Sequence, residues 1–155
     1  MFGQIVLVLA TVATGLGAGL FYTFSVAVMP GLRRADDATR VRTMQGINIA
    51  ILNGWFALSF VGAPALTAVS IFVDALAGNW PKAAGEAVGL VLFGTALIIT
   101  FRVNIPLNNA IDKADPADPA TAWREFEPRW VRWNNVRTLT STAGLAALVV
   151  TLAVN

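Results

Sequence analysis

Two long stretches without a single charge, residues 1–32 and 43–73, constrain this chain more than any other feature. A helix crosses hydrocarbon with about 20 apolar residues, so each stretch is long enough by itself. A third run, 87–101, lies between Glu86 and Arg102, and a fourth, 138–155, is again uncharged. The fourth fits a span directly, and the third does so with its flanks. Only 13% of the residues are charged, against about a quarter in soluble domains. The expectation is an all-α integral membrane four-helix bundle forming one domain, 1–155. Its helices are expected over about 3–29, 44–73, 82–110 and 122–154, the last with an amphipathic cytoplasmic start.

The first run reads as a permanent span. It has no basic residue before Arg33 and no small-residue cleavage pattern, and it is longer than a signal peptide requires. Basic residues give the orientation. Arg33, Arg34, Arg40 and Arg42 lie in the first loop; Arg102, Lys113, Arg124, Arg129, Arg132 and Arg137 lie in the third; only Lys82 lies in the second. Ten of the 11 basic residues thus fall on one side. The positive-inside rule then puts loops one and three in the cytoplasm and both termini outside an inner cell membrane. The net charge of +2 follows from this asymmetry rather than from nucleic-acid binding.

Cysteine and histidine are absent. That removes disulfides, thiolate nucleophiles and nearly all transition-metal sites, and the acidic residues read as loop residues beside basic ones. No metal and no cofactor are expected.

Local signals refine the helices. Pro30 and Gly31 read as a stop for helix 1. Gly15 and Gly19 have the small-xxx-small spacing of close helix packing, either inside the bundle or in a dimer. The stretch LRRADDATRVRTMQGIN predicts a short surface helix or an extension of helix 2, with arginines near lipid head groups. Pro64 should kink helix 2. Trp80 stands where interfacial tryptophans belong. Thr121 reads as a cap for the last helix, Pro128 as its interruption or kink, and Trp123, Phe126, Trp130 and Trp133 form an amphipathic stripe.

Polar side chains near hydrocarbon are costly and usually face a bundle interior. Asn104 and Asn108 share a face of helix 3 in FRVNIPLNNAI, and Gln45 and Asn48 pair at the start of helix 2. Asn134 and Arg137 pair at the start of helix 4 beside Trp130 and Trp133, while Tyr22 and Ser25 pair near the end of helix 1. All four pairs fall at one membrane level. If they converge, the site suits a flat, oxygen-bearing aromatic or quinone-like ligand, with rings stacking and amides and Arg137 bonding its oxygens. No strong base is evident, the nearest carboxylates being Glu125 and Glu127 beyond the span. The competing reading makes the asparagines interhelical glue, Arg137 a snorkelling anchor and the tryptophans an interfacial belt.

FYTFSVAVMPGL, MQGIN, NIPLNNAI and W-x-x-W-N-x-V-R-T, in this order along the whole chain, resemble the anthrone oxygenase-like family of small four-helix membrane proteins. The amides of FRVNIPLNNAI look like that family's N-x-P-x-N element. The resemblance implies oxidation of a polyketide anthrone to its anthraquinone by molecular oxygen without metal or flavin. Arg137, Asn104 and Asn108 would then stabilise an oxyanion, Trp130 and Trp133 would stack the rings, and Tyr22 would accept or relay a proton. Ligand contacts would extend to Gln45, Asn48, Asn134 and Ser25. Partners on this reading are membrane lipids, the aromatic ligand, and an oligomer or larger membrane complex. A different class remains open: a non-catalytic membrane subunit that binds quinone or lipid or packs in a complex. A transporter is disfavoured, since no buried ionisable pair or inverted repeat is visible.

Overall fold

A computed structural model describes residues 1–154. They form five helices: α1 (Phe2–Leu32), α2 (Asp37–Ala50), α3 (Gly54–Leu76), α4 (Trp80–Asp112) and α5 (Pro119–Val154). All but α2 are long and apolar enough to cross a membrane. These four pack as a closed ring, α1 on α3, α3 on α4, α4 on α5 and α5 on α1. Ile5, Val12, Leu16, Phe72, Val91 and Ile98 are exposed around the outside, the distribution a lipid-facing surface demands. The all-α bundle expected from the uncharged runs is therefore the fold.

Within hydrocarbon, helices associate through close packing of small residues, and here the closest seam joins α4 to α5. A Cβ placed on Gly144 would lie 3.0 Å from the carbonyl oxygen of Gly89 and 3.1 Å from the backbone nitrogen of Phe93. Of the two glycines singled out in α1, Gly15 faces Leu145 of α5 at 3.7 Å, and Gly19 meets nothing within 4 Å. The pair does not act as one motif.

Several boundaries differ from expectation. Pro30 does not end α1. A π-helical turn, Phe24–Val28, precedes it, the N–H of Met29 bonds the carbonyl of Phe24, and the helix continues to Leu32. The same device recurs in α4, where the π turn Thr100–Asn104 precedes Pro106 and the N–H of Ile105 bonds the carbonyl of Thr100. A proline supplies no N–H and its ring crowds the carbonyl four residues back. The wider π register relieves both problems without ending the helix.

The helix expected over 44–73 is divided. α2 begins earlier, at a cap made by Asp36, whose Oδ1 accepts from Thr39 N–H at 2.9 Å and whose Oδ2 accepts from the Thr39 hydroxyl at 2.7 Å. It ends before Asn53. That side chain donates to the carbonyl of Ala50 at 2.8 Å and accepts from Phe56 N–H at 3.0 Å, closing α2 and capping α3 at once. Asparagine is among the best N-caps, which makes 51–53 a corner. A further irregularity at Val61 precedes Pro64, as the proline led us to expect.

α5 runs unbroken through Pro128, whose ring is on an exposed side. Its first turn is closed by Asp118, which accepts from Thr121 N–H at 3.1 Å. Asp118 rather than Thr121 is therefore the capping residue, and that backbone N–H holds its carboxyl below the ordinary carboxylate range.

Candidate functional site

α2 is what turns one end of the bundle into an enclosed place. Val41 and Met44 pack into a cluster with Ile111 of α4 and with Trp123, Phe126 and Trp130 of α5. Arg40 ties α2 to α1, donating from Nε to the carbonyl of Leu32 at 3.0 Å and from a terminal nitrogen to that of Arg33 at 2.7 Å. A basic side chain on the last carbonyls of a helix is a recurrent C-terminal closure. Arg33 in turn pairs with Glu127, which also accepts from the Trp123 indole at 2.7 Å. At least these two of the first-loop arginines serve packing.

Beneath α2 lies a cavity of about 200 Å³. Its walls include Phe21 and Phe24 of α1, Phe56 and Phe60 of α3, and Trp130 of α5. The polar groups on it are Asn48, Thr100, Asn108, Asn109, Asp112 and Arg137.

Arg137 dominates the electrostatics. It is 5% exposed, donates to Thr100 Oγ1 at 3.1 Å and to Asn134 Oδ1 at 2.7 Å, and has no partner for Nε. Its guanidinium carbon lies 4.5 Å from the centroid of the Phe21 ring and 5.3 Å from that of Trp130, within the range of cation–π attraction. Among the described residues it makes no ion pair. The cation is held by neutral dipoles and ring faces, so its charge remains uncompensated.

A supporting layer fixes that arginine. Asn134 donates to the carbonyl of Phe21 at 3.0 Å and to Ser25 Oγ at 2.8 Å, and the Ser25 hydroxyl meets that of Thr138 at 3.1 Å. With its donors spent on α1, Asn134 presents only its oxygen to Arg137. Asn104 is fully enclosed, donates to the carbonyl of Trp130 at 3.4 Å, and has no partner for Oδ1. Asn108 accepts from the Trp130 indole at 2.8 Å. Asn48 donates to Asp112 at 2.8 Å, and Gln45 donates to the carbonyl of Ile111 at 3.0 Å.

The ten residues picked out in the sequence thus divide. Asn48, Asn108, Trp130 and Arg137 line the cavity; Asn134, Ser25 and Asn104 stand behind it; Gln45 fastens α2 to α4. Tyr22 does not join them. It is 56% exposed on the outer face of α1. Trp133 is half-buried, outside both the cavity lining and the aromatic cluster. It comes after Trp130, the last residue of α5 in that buried cluster.

The sequence reading missed Thr100 and Asp112. Thr100 lies four residues before Asn104, so the spacing that joined Asn104 to Asn108 would have reached it. Asp112 lies four residues after Asn108 for the same reason. It replaces Glu125 and Glu127 as the carboxylate nearest the site, since it is on the cavity wall and Glu127 is committed to Arg33 and Trp123. Nor are all the acidic residues in loops: Asp74 and Glu86 are buried within α3 and α4. The ground on which a transporter was disfavoured, the absence of a buried ionisable pair, does not hold. Among the described residues, no three His, Cys, Asp or Glu side chains gather as a metal site would require.

Residues 55–147 match a family model described as anthrone oxygenase. No curated protein and no solved structure matches the chain.

Proposed function

The chain belongs to the anthrone oxygenase family, and from that premise we propose that it binds a flat aromatic ketone of the anthrone type beneath α2 and oxidises it to a quinone with molecular oxygen. The observation that carries this reading is Arg137, a buried cation without a carboxylate partner on the wall of an aromatic cavity. An uncompensated charge away from water costs several kcal/mol, and an anionic ligand removes that cost. An anthrone supplies such an anion once its methylene carbon loses a proton, because the negative charge then moves to the ketone oxygen.

The chain's own groups divide the work. Arg137 stabilises the enolate oxygen in surroundings of low dielectric constant. Phe21, Phe24 and Trp130 provide ring faces for the fused aromatic system. Asp112, oriented by Asn48, receives the methylene proton. The enolate carbon then forms a bond to O2, giving a hydroperoxide on protonation. Loss of water from it leaves the second carbonyl, so oxygen takes up the electrons and every atom is accounted for.

Oxygen uptake by the purified protein with anthrone tests this directly. Turnover above that of empty micelles is expected, with a decrease of at least tenfold in Asp112→Asn. Uptake equal to that of empty micelles overturns the oxygenase reading. The second reading is a non-catalytic subunit holding a quinone or lipid. Its support is that Leu52, on the cavity wall, is also among the most exposed apolar side chains, so a hydrocarbon tail has a path outward. Saturable quinone binding without oxygen uptake favours it.

A further inference from the structure

The opposite end of the bundle contains a second polar cluster, unconnected with the aromatic cavity. Asp74 of α3 and Lys82 and Glu86 of α4 are all buried there, Glu86 to 0% exposure. Lys82 Nζ lies 3.0 Å from Asp74 Oδ2 and donates to Gln4 of α1 at 3.3 Å. Asn79 donates to Asp74 Oδ1 at 3.4 Å, and the Ser70 hydroxyl donates to Glu86 Oε1 at 2.8 Å. Gln4, Asp74, Asn79 and Lys82 also line a cavity of about 510 Å³, and Glu86 lies one helical turn beyond Lys82.

Two facts make this more than a buried ion pair. The first is charge. Two carboxylates face one buried ammonium, α1 brings the neutral Gln4 and, at the cavity mouth, the fully exposed Met1 whose terminal ammonium is in water, and α5 brings the neutral Thr151 beside Gly85. With both carboxyls ionised, one negative charge is left over among side chains that are nearly all buried, at a cost of several kcal/mol. The second is hydrogen bonding. Asp74 Oδ2 has the lysine's charge beside it but no well-directed donor, and Glu86 Oε2 has no partner at all. Both orphans are acceptors, and the two carboxyl groups lie within hydrogen-bonding reach of one another.

We propose that Asp74 and Glu86 form a proton-binding site in which a single proton bridges Asp74 Oδ2 and Glu86 Oε2 while Lys82 neutralises the remaining charge. One proton removes the excess charge and gives both orphaned oxygens a partner. A larger monovalent cation would have to displace the ammonium from its position between Asp74 and Gln4. The cavity over Asp74 and Lys82 provides the route by which the proton exchanges with water.

Infrared spectroscopy of the purified protein reads this site through the carbonyl stretch of a protonated carboxyl. At about pH 6, where exposed carboxyls are ionised, the wild type is expected to show that band and to lose it reversibly on alkalinisation. Glu86→Gln should abolish it, since the amide donates to Asp74 without a titrating proton; Ser70→Ala should keep the band but shift it. Isotope labelling of Asp and Glu carboxyls identifies it in the wild type even if a variant does not fold. No protonated-carboxyl band at pH 6, or an unaltered band in Glu86→Gln, overturns the proposal. Loss of the band on adding sodium chloride at constant pH also overturns it, by identifying an alkali cation as the ligand.

Discussion

The guanidinium of Arg137 lies over the ring of Phe21 at 4.5 Å, so the one buried cation at the arginine-rich end rests on an aromatic face rather than on a carboxylate. Ring face, Thr100 and Asn134 orient the fork together and leave Nε buried without a partner.

Arg137→Lys follows from that arrangement. Lysine keeps the charge but cannot present a planar fork to Thr100, Asn134 and an oxyanion together. Affinity for an anthrone or quinone probe should fall at least tenfold, with melting in detergent changed by no more than the one interhelical hydrogen bond to Thr100 contributes, about 0.5 to 2 kcal/mol. Unchanged probe affinity returns Arg137 to the role of an anchor.

Gly144→Ala tests the seam between α4 and α5. The added methyl would press on the Gly89 carbonyl and the Phe93 backbone nitrogen, neither of which can rotate away. We expect destabilisation of about 1 to 3 kcal/mol, the usual cost of overpacking, and a lower melting temperature. Gly19→Ala, with open space around it, should leave melting unaltered.

Much of this was legible in the sequence because hydrocarbon imposes simple rules. Uncharged length gave four spans, and the four-residue spacing of Asn104 and Asn108 correctly placed both on the inward side of α4. The misplaced residues have local causes. Tyr22 and Ser25 were joined by a three-residue spacing, yet a π turn begins between them at Phe24 and changes the angle per residue. The corner at 51–53 depends on both ends of one amide, Asn53, in a stretch otherwise apolar enough to pass for helix. The pairing of Asp74 with Lys82 and Glu86 joins two helices across a tight turn, which no periodicity within either helix reports.

Acid should loosen the start of α5. The Thr121 N–H depresses the carboxyl of Asp118. The cap therefore contributes fully above the unfolded value of about 3.9 and is lost as the pH falls through the lower folded value. Hydrogen exchange at Thr121 should show protection that declines over that acidic interval and is absent at every pH in Asp118→Ala. Protection independent of pH would assign the closure of this turn to packing alone.

Orientation is open to labelling, since the chain contains no native cysteine. From the ten-to-one split of basic residues we propose that the arginine-rich end is cytoplasmic. Single cysteines at Ala35 and Ala117 should react only with reagent supplied from the cytoplasmic side, and one at Asn79 only from the outside. Reaction of position 79 from the cytoplasmic side reverses the assignment.

The paired π turns at Phe24–Val28 and Thr100–Asn104 have a consequence for how sequences of this kind diverge. Each turn accommodates one residue more than regular helix would, so it separates the phase of the membrane-crossing part from that of the helix end above it. A single-residue deletion there would let regular α-helix run through while every later side chain kept its facing, so the cavity-facing set and the buried seams below would both stay in place. Relatives that lack either π turn should therefore show a one-residue gap at that position, and an alignment that forbids gaps inside the spans would mispair the residues around the cavity.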